Sequence, residues 1–337
     1  MNAIARFDLN NAATYPSRRV EAWKYSDLAR ILRETPKLSA TTDIKGSGPF
    51  AALGGEVLSL ANGHGSIDYS AADQVTVQVR LVSDAESTGH TARVSIKTQA
   101  GAKLLLLESH EGRGDYVAHN RIDIDVAAGA EVTRIVLIDE PELAVSVTEA
   151  EVNLAAGAKY RQTVLTTGAR LQRFETRLAH HAHGADARMD GLYLLKGARH
   201  TDLTSVVDHL EAHGTTGQLT KGVARETSRG VFQGKIVVQR GADGTDARMA
   251  HNALIDGERA EIDAKPELII YADEVQCAHG NTVGTLDEAA LFYMQARGIT
   301  AEEARALLTE AFLNEVVDRI EQDDVREVVT QWLTARL

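Results

Sequence analysis

AGAKLLLLE at 100–108, AGAEVTRIVL at 128–137 and AGAKYRQTVL at 156–165 place Gly101, Gly129 and Gly157 at a constant interval of 28 residues. HGADARM continues the series with Gly184, one residue short of register, and ADARM at 185–189 is echoed by TDARM at 245–249. A fixed period in a strand-rich chain signals a solenoid, in which each unit buries its apolar face only by stacking on neighbours. Glycine suits the corners, because it tolerates φ > 0 where the backbone turns sharply. Twenty-eight residues predict two coils of about fourteen, each with two short strands and two turns.

The surrounding sequence carries the matching alternation. QVTVQVRLV (74–82), ARVSIKT (92–98), NRIDIDV (120–126), LAVSVTEAEVNL (143–154) and RFETRLA (173–179) read as short strands with few aromatics. A β-sandwich also yields many short strands. The constant interval, and the absence of Asn-Gly or Asp-Gly hairpin signals at most turns, favour stacking. The expected fold is mainly β: a right-handed parallel β-helix over 76–284, an N-terminal helical or irregular region over 1–75, and a C-terminal helical domain over 285–337.

Toward the N-terminus, RRVEAWKYSDLARILRE (18–34) predicts an amphipathic helix with Trp23, Leu28, Ile31 and Leu32 on one face, stopped by Pro36. The tract 41–75, rich in Gly, Ser and Ala, reads as loop or irregular strand. Toward the C-terminus, ELIIY and DEVQC (267–277) predict two short strands, and Thr285-Leu-Asp-Glu288 predicts a capping box that opens a helix over about 286–297. Gly298 is a natural stop, Thr300-Ala-Glu-Glu303 a second capping box, and Asp324 the start of a third helix. Stripes over Ala304, Leu307, Leu308, Ala311, Phe312 and Val316, and over Val325, Val328, Val329 and Trp332, must be covered. Packing on each other and on the end of the solenoid competes with docking of a partner.

Composition narrows the function. A net charge of −12 over 337 residues argues against nucleic acid, whose phosphates require clustered Lys and Arg. One cysteine rules out an intrachain disulfide framework and a self-contained Cys-x-x-Cys metal site. No apolar run approaches the ~20 residues that span a bilayer, and MNAIARFDLNNAATYP lacks a secretory pattern, so the expectation is a cytoplasmic protein without membrane contact. The sequence holds no P-loop, no G-x-S-x-G elbow and no H-E-x-x-H. HHAHG (180–184) and HLEAH (209–213) are histidine-rich, yet a solvated or structural role suits each better than a metal site.

Cys277 and His279 differ from these. Two residues apart on a strand, their side chains share a face. Thiolate and imidazole together make a half-site for an iron–sulfur species or zinc, and two ligands cannot close a tetrahedral centre. The missing ligands would come from another chain.

At these residues the sequence resembles the SufB/SufD family of iron–sulfur assembly scaffolds. RRVEAWKYSDL resembles the family's Glu-x-Trp-[RK]-Tyr signature, KPELIIYADEVQCAHGNTVGTLDEAALFYMQARGI (265–299) resembles its C-terminal signature, and the Gly-punctuated solenoid matches its core. The resemblance implies a non-catalytic scaffold that pairs with SufB through the β-helices and docks the ATPase SufC through its C-terminal helices. A transient Fe–S cluster would form at the interface, with His279 and Cys277 as candidate ligands and the partner supplying the rest. Leu286, Phe292, Tyr293, Met294, Leu307 and Phe312 are the candidate partner-binding residues. Met294, in Phe-Tyr-Met, stands where the SufB side of the family has a cysteine, so this chain is expected on the SufD side. The resemblance also implies ATP only on SufC and reduced flavin in the complex, with no residues here that localise flavin. Two alternatives stand beside it: a stand-alone β-helix enzyme of polysaccharide-lyase type, and a homodimeric relative in which two copies of His279 meet.

Overall fold

The computed structural model describes residues 7–337. Met1–Arg6, part of the stretch read for a leader, lie outside the described residues. From Glu56 onward the chain winds as a parallel solenoid that lays strands alternately in two nine-stranded sheets. The first sheet stacks Thr88–Thr98, Val117–Val126, Val145–Leu154, Leu171–His180, His200–His209, Arg229–Val238 and Glu261–Ile270, with Lys37–Leu38 and Ile67–Ala71 both on Thr88–Thr98. The second stacks Glu56–Ala61, Gln74–Asp84, Lys103–Arg113, Glu131–Asp139, Lys159–Thr166, Asp186–Leu195, Thr215–Arg225, Asp246–Asp256 and Gln276–Gly284.

Register corrects the expected coil. Lys103 sits beside Glu131, and Glu131 beside Lys159, so one 28-residue period is one whole coil of two long strands rather than two coils of about fourteen. The physical reason lies in runs such as KLLLLESHEGR, where one strand runs unbroken through Lys103–Arg113 with no turn residue midway. Corners need the left-handed region: Gly101, Gly129, Gly157 and Gly184 have φ between +62° and +73°.

Inward faces of both sheets pack one apolar core that includes Val79, Leu106, Ile124, Val132 and Val152. The outward face of the second sheet is also apolar. Leu107, Ile135, Leu137, Leu165 and Leu192 there meet Leu313, Val316, Val317, Val325, Val329 and Leu333 of the C-terminal helices. Burying each such side chain stabilises by about 1.5–3 kcal/mol. The helices therefore lie along the side of the solenoid, not on its end. They are α2 (Glu288–Ala296), α3 (Ala301–Val317) and α4 (Asp323–Thr334), following the short α1 (Leu28–Ile31).

The N-terminal helix breaks up. Only a 3₁₀ turn at Glu21–Trp23 and α1 form, because Ser26 and Asp27 take other partners. Ser26 Oγ donates to Asp202 Oδ2 at 2.6 Å, and the Asp27 carboxylate accepts from the Arg30 amide at 3.1 Å. Trp23 and Leu28 still face one way, packing with Phe7, Leu9 and Tyr15 on Val117, Val145, Val147 and Leu171 of the first sheet. The tract 41–75 supplies Glu56–Ala61 and Ile67–Ala71, the first coil.

Helix starts divide. Thr300 caps α3 as expected, accepting from the Glu303 amide at 3.2 Å. Asp287, not Thr285, caps α2, its carboxylate accepting from Ala289 and Ala290; a charged acceptor also suits the positive helix end. Gly298 stops α2 at φ +88°, with the Ile299 amide closing on the Met294 carbonyl. The stripe predicted for α3 is displaced: Ala304, Thr309, Leu313, Val316 and Val317 are buried, while Leu307 and Ala311 face out.

Candidate functional site

Cys277 and His279 lie on Gln276–Gly284, the last strand of the second sheet. The strand begins at Gln276 and runs on past the cysteine, so Cys277 opens it rather than ending a strand DEVQC. Cys277 pairs with Ala247 and His279 with Met249. Both partners belong to the buried core, so Cys277 and His279 share the inward face at the mouth of the solenoid.

That mouth is open. Among the described residues, Gln276–Gly284 pairs only with Asp246–Asp256, and Glu261–Ile270 only with Arg229–Val238. Because the Gln276 amide donates to the Thr245 carbonyl at 2.9 Å, alternation turns the backbone groups of Cys277, His279, Asn281 and Val283 outward to the unpaired edge. The companion edge differs. The Glu261 and Tyr271 amides bond inward, so Pro266 turns its missing N–H to the open side, where it blunts that edge. Pro266 at this edge was missed by the sequence reading, and the signal was available: a proline inside a strand run marks an edge.

His279 is exposed, and its side chain makes no hydrogen bond or ion pair among the described residues. Cys277 is half-buried against the core, and burial pushes its thiol up from the usual range, with a smaller push from Asp246. A thiolate is the form that binds metal, so metal must displace the proton. Beside them, the Asn281 side chain meets His251 Nδ1 at 2.7 Å, which ties the end strand to the coil beneath. Among the described residues, no three His, Cys, Asp or Glu side chains converge on a metal position.

The other predicted residues separate by exposure. Phe292 (74% exposed), Tyr293 (59%) and Leu307 (43%) face solvent. Leu286 is buried with Leu291 and Ala304, Met294 packs on that cluster, and Phe312 sits under Lys221, whose Nζ lies 4.2 Å from the ring centre. Those last three already serve the chain's own packing.

The SUF-system iron–sulfur cluster assembly model for the SufBD core domain matches residues 81–312, well over half of the chain. The chain belongs to the SufBD core family. It is 29% identical over 239 residues to the iron–sulfur cluster assembly protein SufD of Escherichia coli, covering 70% of this chain and 56% of that one. A SufBD family protein of Mycobacterium leprae is 24% identical over 358 residues, covering 96% and 91%. SufD of Bacillus subtilis is 30% identical over 132 residues, covering 39% and 30%. The match thus spans little more than half of the Escherichia coli SufD. Family membership and these relatives support a SufD-type assignment within iron–sulfur assembly. None of these relatives is named as a polysaccharide lyase. No helix among the described residues is long and apolar enough to cross a membrane.

Proposed function

We propose that this chain is a non-catalytic scaffold that pairs with SufB at the open end of its solenoid and contributes His279, with Cys277, to a nascent cluster shared between the two. The observation that carries this reading is the coincidence of the half-site with the free edge: the residues whose side chains line the mouth also turn their amides outward. Addition of a partner strand there would satisfy those amides and bring foreign ligands within reach of His279. Iron and sulfide are cargo. The unpartnered imidazole binds iron in its neutral form, and Cys277 gives up its proton as the metal arrives. SufC, which holds the ATP, docks on the exposed Phe292, Tyr293 and Leu307, and its closure reaches the interface through α2 and α3.

A second copy of this chain is the competing occupant of the same edge. Val283→Pro tests the pairing, because the Val283 amide points away from its own ladder. Co-purification with SufB should fall at least tenfold while the melting temperature stays within about 1.5 °C, a shift of under ~1 kcal/mol for a chain this size. Undiminished capture of SufB by the variant would remove the edge from the account.

A further inference from the structure

The corner of the solenoid that leads to Cys277 carries a second feature. Its turns bond coil to coil: the Gly101 amide donates to the Ala128 carbonyl, Gly129 to Ala156, Gly157 to His183, Gly184 to Ala212, His213 to Asp243 and Gly244 to Glu274. The donors form one equivalent series of Gly101, Gly129, Gly157, Gly184, His213 and Gly244. His213 is its single non-glycine and holds φ +58°, a left-handed conformation uncommon outside glycine. The acceptors form the companion series, and His183 stands in it where three other coils have alanine. Two imidazoles have therefore replaced the corner's small residues in successive coils.

These two rings meet. Their centroids are 4.8 Å apart and their planes 58° apart, and both residues are exposed. The next coil leaves room for them: a Cβ on Gly244 would lie 2.3 Å from Nδ1 of His213. Beneath them His180 and His209 stack in register at 4.1 Å. Their Nε2 atoms share the Thr216 hydroxyl at 3.1 and 3.0 Å, and both Nδ1 atoms are buried without a partner. The Thr216 hydroxyl has one proton to give, so at least one of the two buried rings donates its Nε2–H to that oxygen and leaves its own Nδ1 lone pair unused.

We propose that His183 and His213 form a binding site for a first-row divalent metal ion, with water completing its coordination. Imidazole suits such ions, and ligand nitrogens about 2.0–2.1 Å from a metal can be reached from this separation by small rotations of exposed rings. HHAHG and HLEAH, each unremarkable alone, become one site through the stacking of coils. Only the turn at Gly244 separates His213 from the turn at Glu274, which leads into Cys277, so the site lies beside the path to the end strand. The proposal does not require SufB.

Titration of the full-length chain with zinc alone, and with cobalt(II) for its visible absorption, tests it. The chain should bind one equivalent at this corner. His183→Ala and His213→Gly each restore the residue type of the neighbouring coils, so the fold is favoured, and each should weaken binding at least tenfold. His181→Ala, which removes an exposed imidazole bonded to Asn153, and the Cys277→Ser/His279→Ala double variant should leave this equivalent in place. Absence of stoichiometric binding by the wild type would overturn the assignment. So would binding unaltered by His183→Ala and His213→Gly, or lost only with Cys277 and His279.

Discussion

Arg134 lies wholly inside the solenoid, on an inward-facing position of Glu131–Asp139. Its guanidinium reaches Glu108 Oε2 at 2.7 Å and Gln162 Oε1 at 3.1 Å, and the other Glu108 oxygen takes His110 at 2.6 Å. Burial alone would push the Glu108 carboxyl up, but Arg134 and His110 hold it below the usual carboxylate range. Removing one partner strands a buried charge. Arg134→Met should therefore cost about 3–5 kcal/mol in urea unfolding, whereas Glu108→Leu/Arg134→Met should recover most of that loss. Equal stability of single and double variants would show that the pair is not coupled. His279 presents the opposite case: it is exposed and without side-chain partners, so replacing it should leave the fold untouched.

At the scale of elements, α2 divides its two faces between the chain and the solvent. Leu291 and Met294 hold it to the start of α3, while Phe292 and Tyr293 project outward and Arg297 lies 4.9 Å from the Tyr293 ring centre. Phe292→Ser/Tyr293→Ser should keep the far-ultraviolet circular dichroism and melting temperature of the wild type but lose SufC in a pull-down. Retention of SufC would place its docking surface elsewhere. The sequence made α2 legible through Gly298 and α4 through its valine stripe. It misplaced the start of α2 because Thr285 and Asp287 both offer caps and only tertiary placement decides between them. The N-terminal helix failed for a related reason: Ser26 and Asp27 find better partners in Asp202 and the Arg30 amide than in a continuous helix. Coil size was misread because the 28-residue interval reports the period, not the number of coils within it. That Cys277 and His279 share one face of a strand was readable from spacing. That this strand is a free edge was not, since register is set by pairing across more than 25 residues.

Across the whole molecule, buried histidines dominate the response to acid. Burial is the leading cause that lowers His90, His200, His209 and His251 to about 4 and His180 to about 3, from 6.5. Each takes a proton in the unfolded chain near pH 6.5 but resists it when folded. Their contribution is present above pH 6.5 and is lost as pH falls toward 4, at up to about 1.4 kcal/mol per unit and group. Asp190, raised to about 6 chiefly by burial, and the raised Glu140 act the other way, because the folded state holds their protons more tightly. Five histidines outweigh two carboxyls. The melting temperature should be nearly flat from pH 7 to 8 and fall steeply between 6.5 and 5, and a rise over that interval would contradict this balance.

The central claim is that the open mouth of the solenoid builds a cluster with a ligand from this chain. Visible absorption of the anaerobically reconstituted complex with SufB and SufC, wild type against His279→Ala, tests it most directly. The account predicts equal yields of complex and cluster absorption only in the wild type. Full cluster absorption in the His279→Ala complex would contradict it.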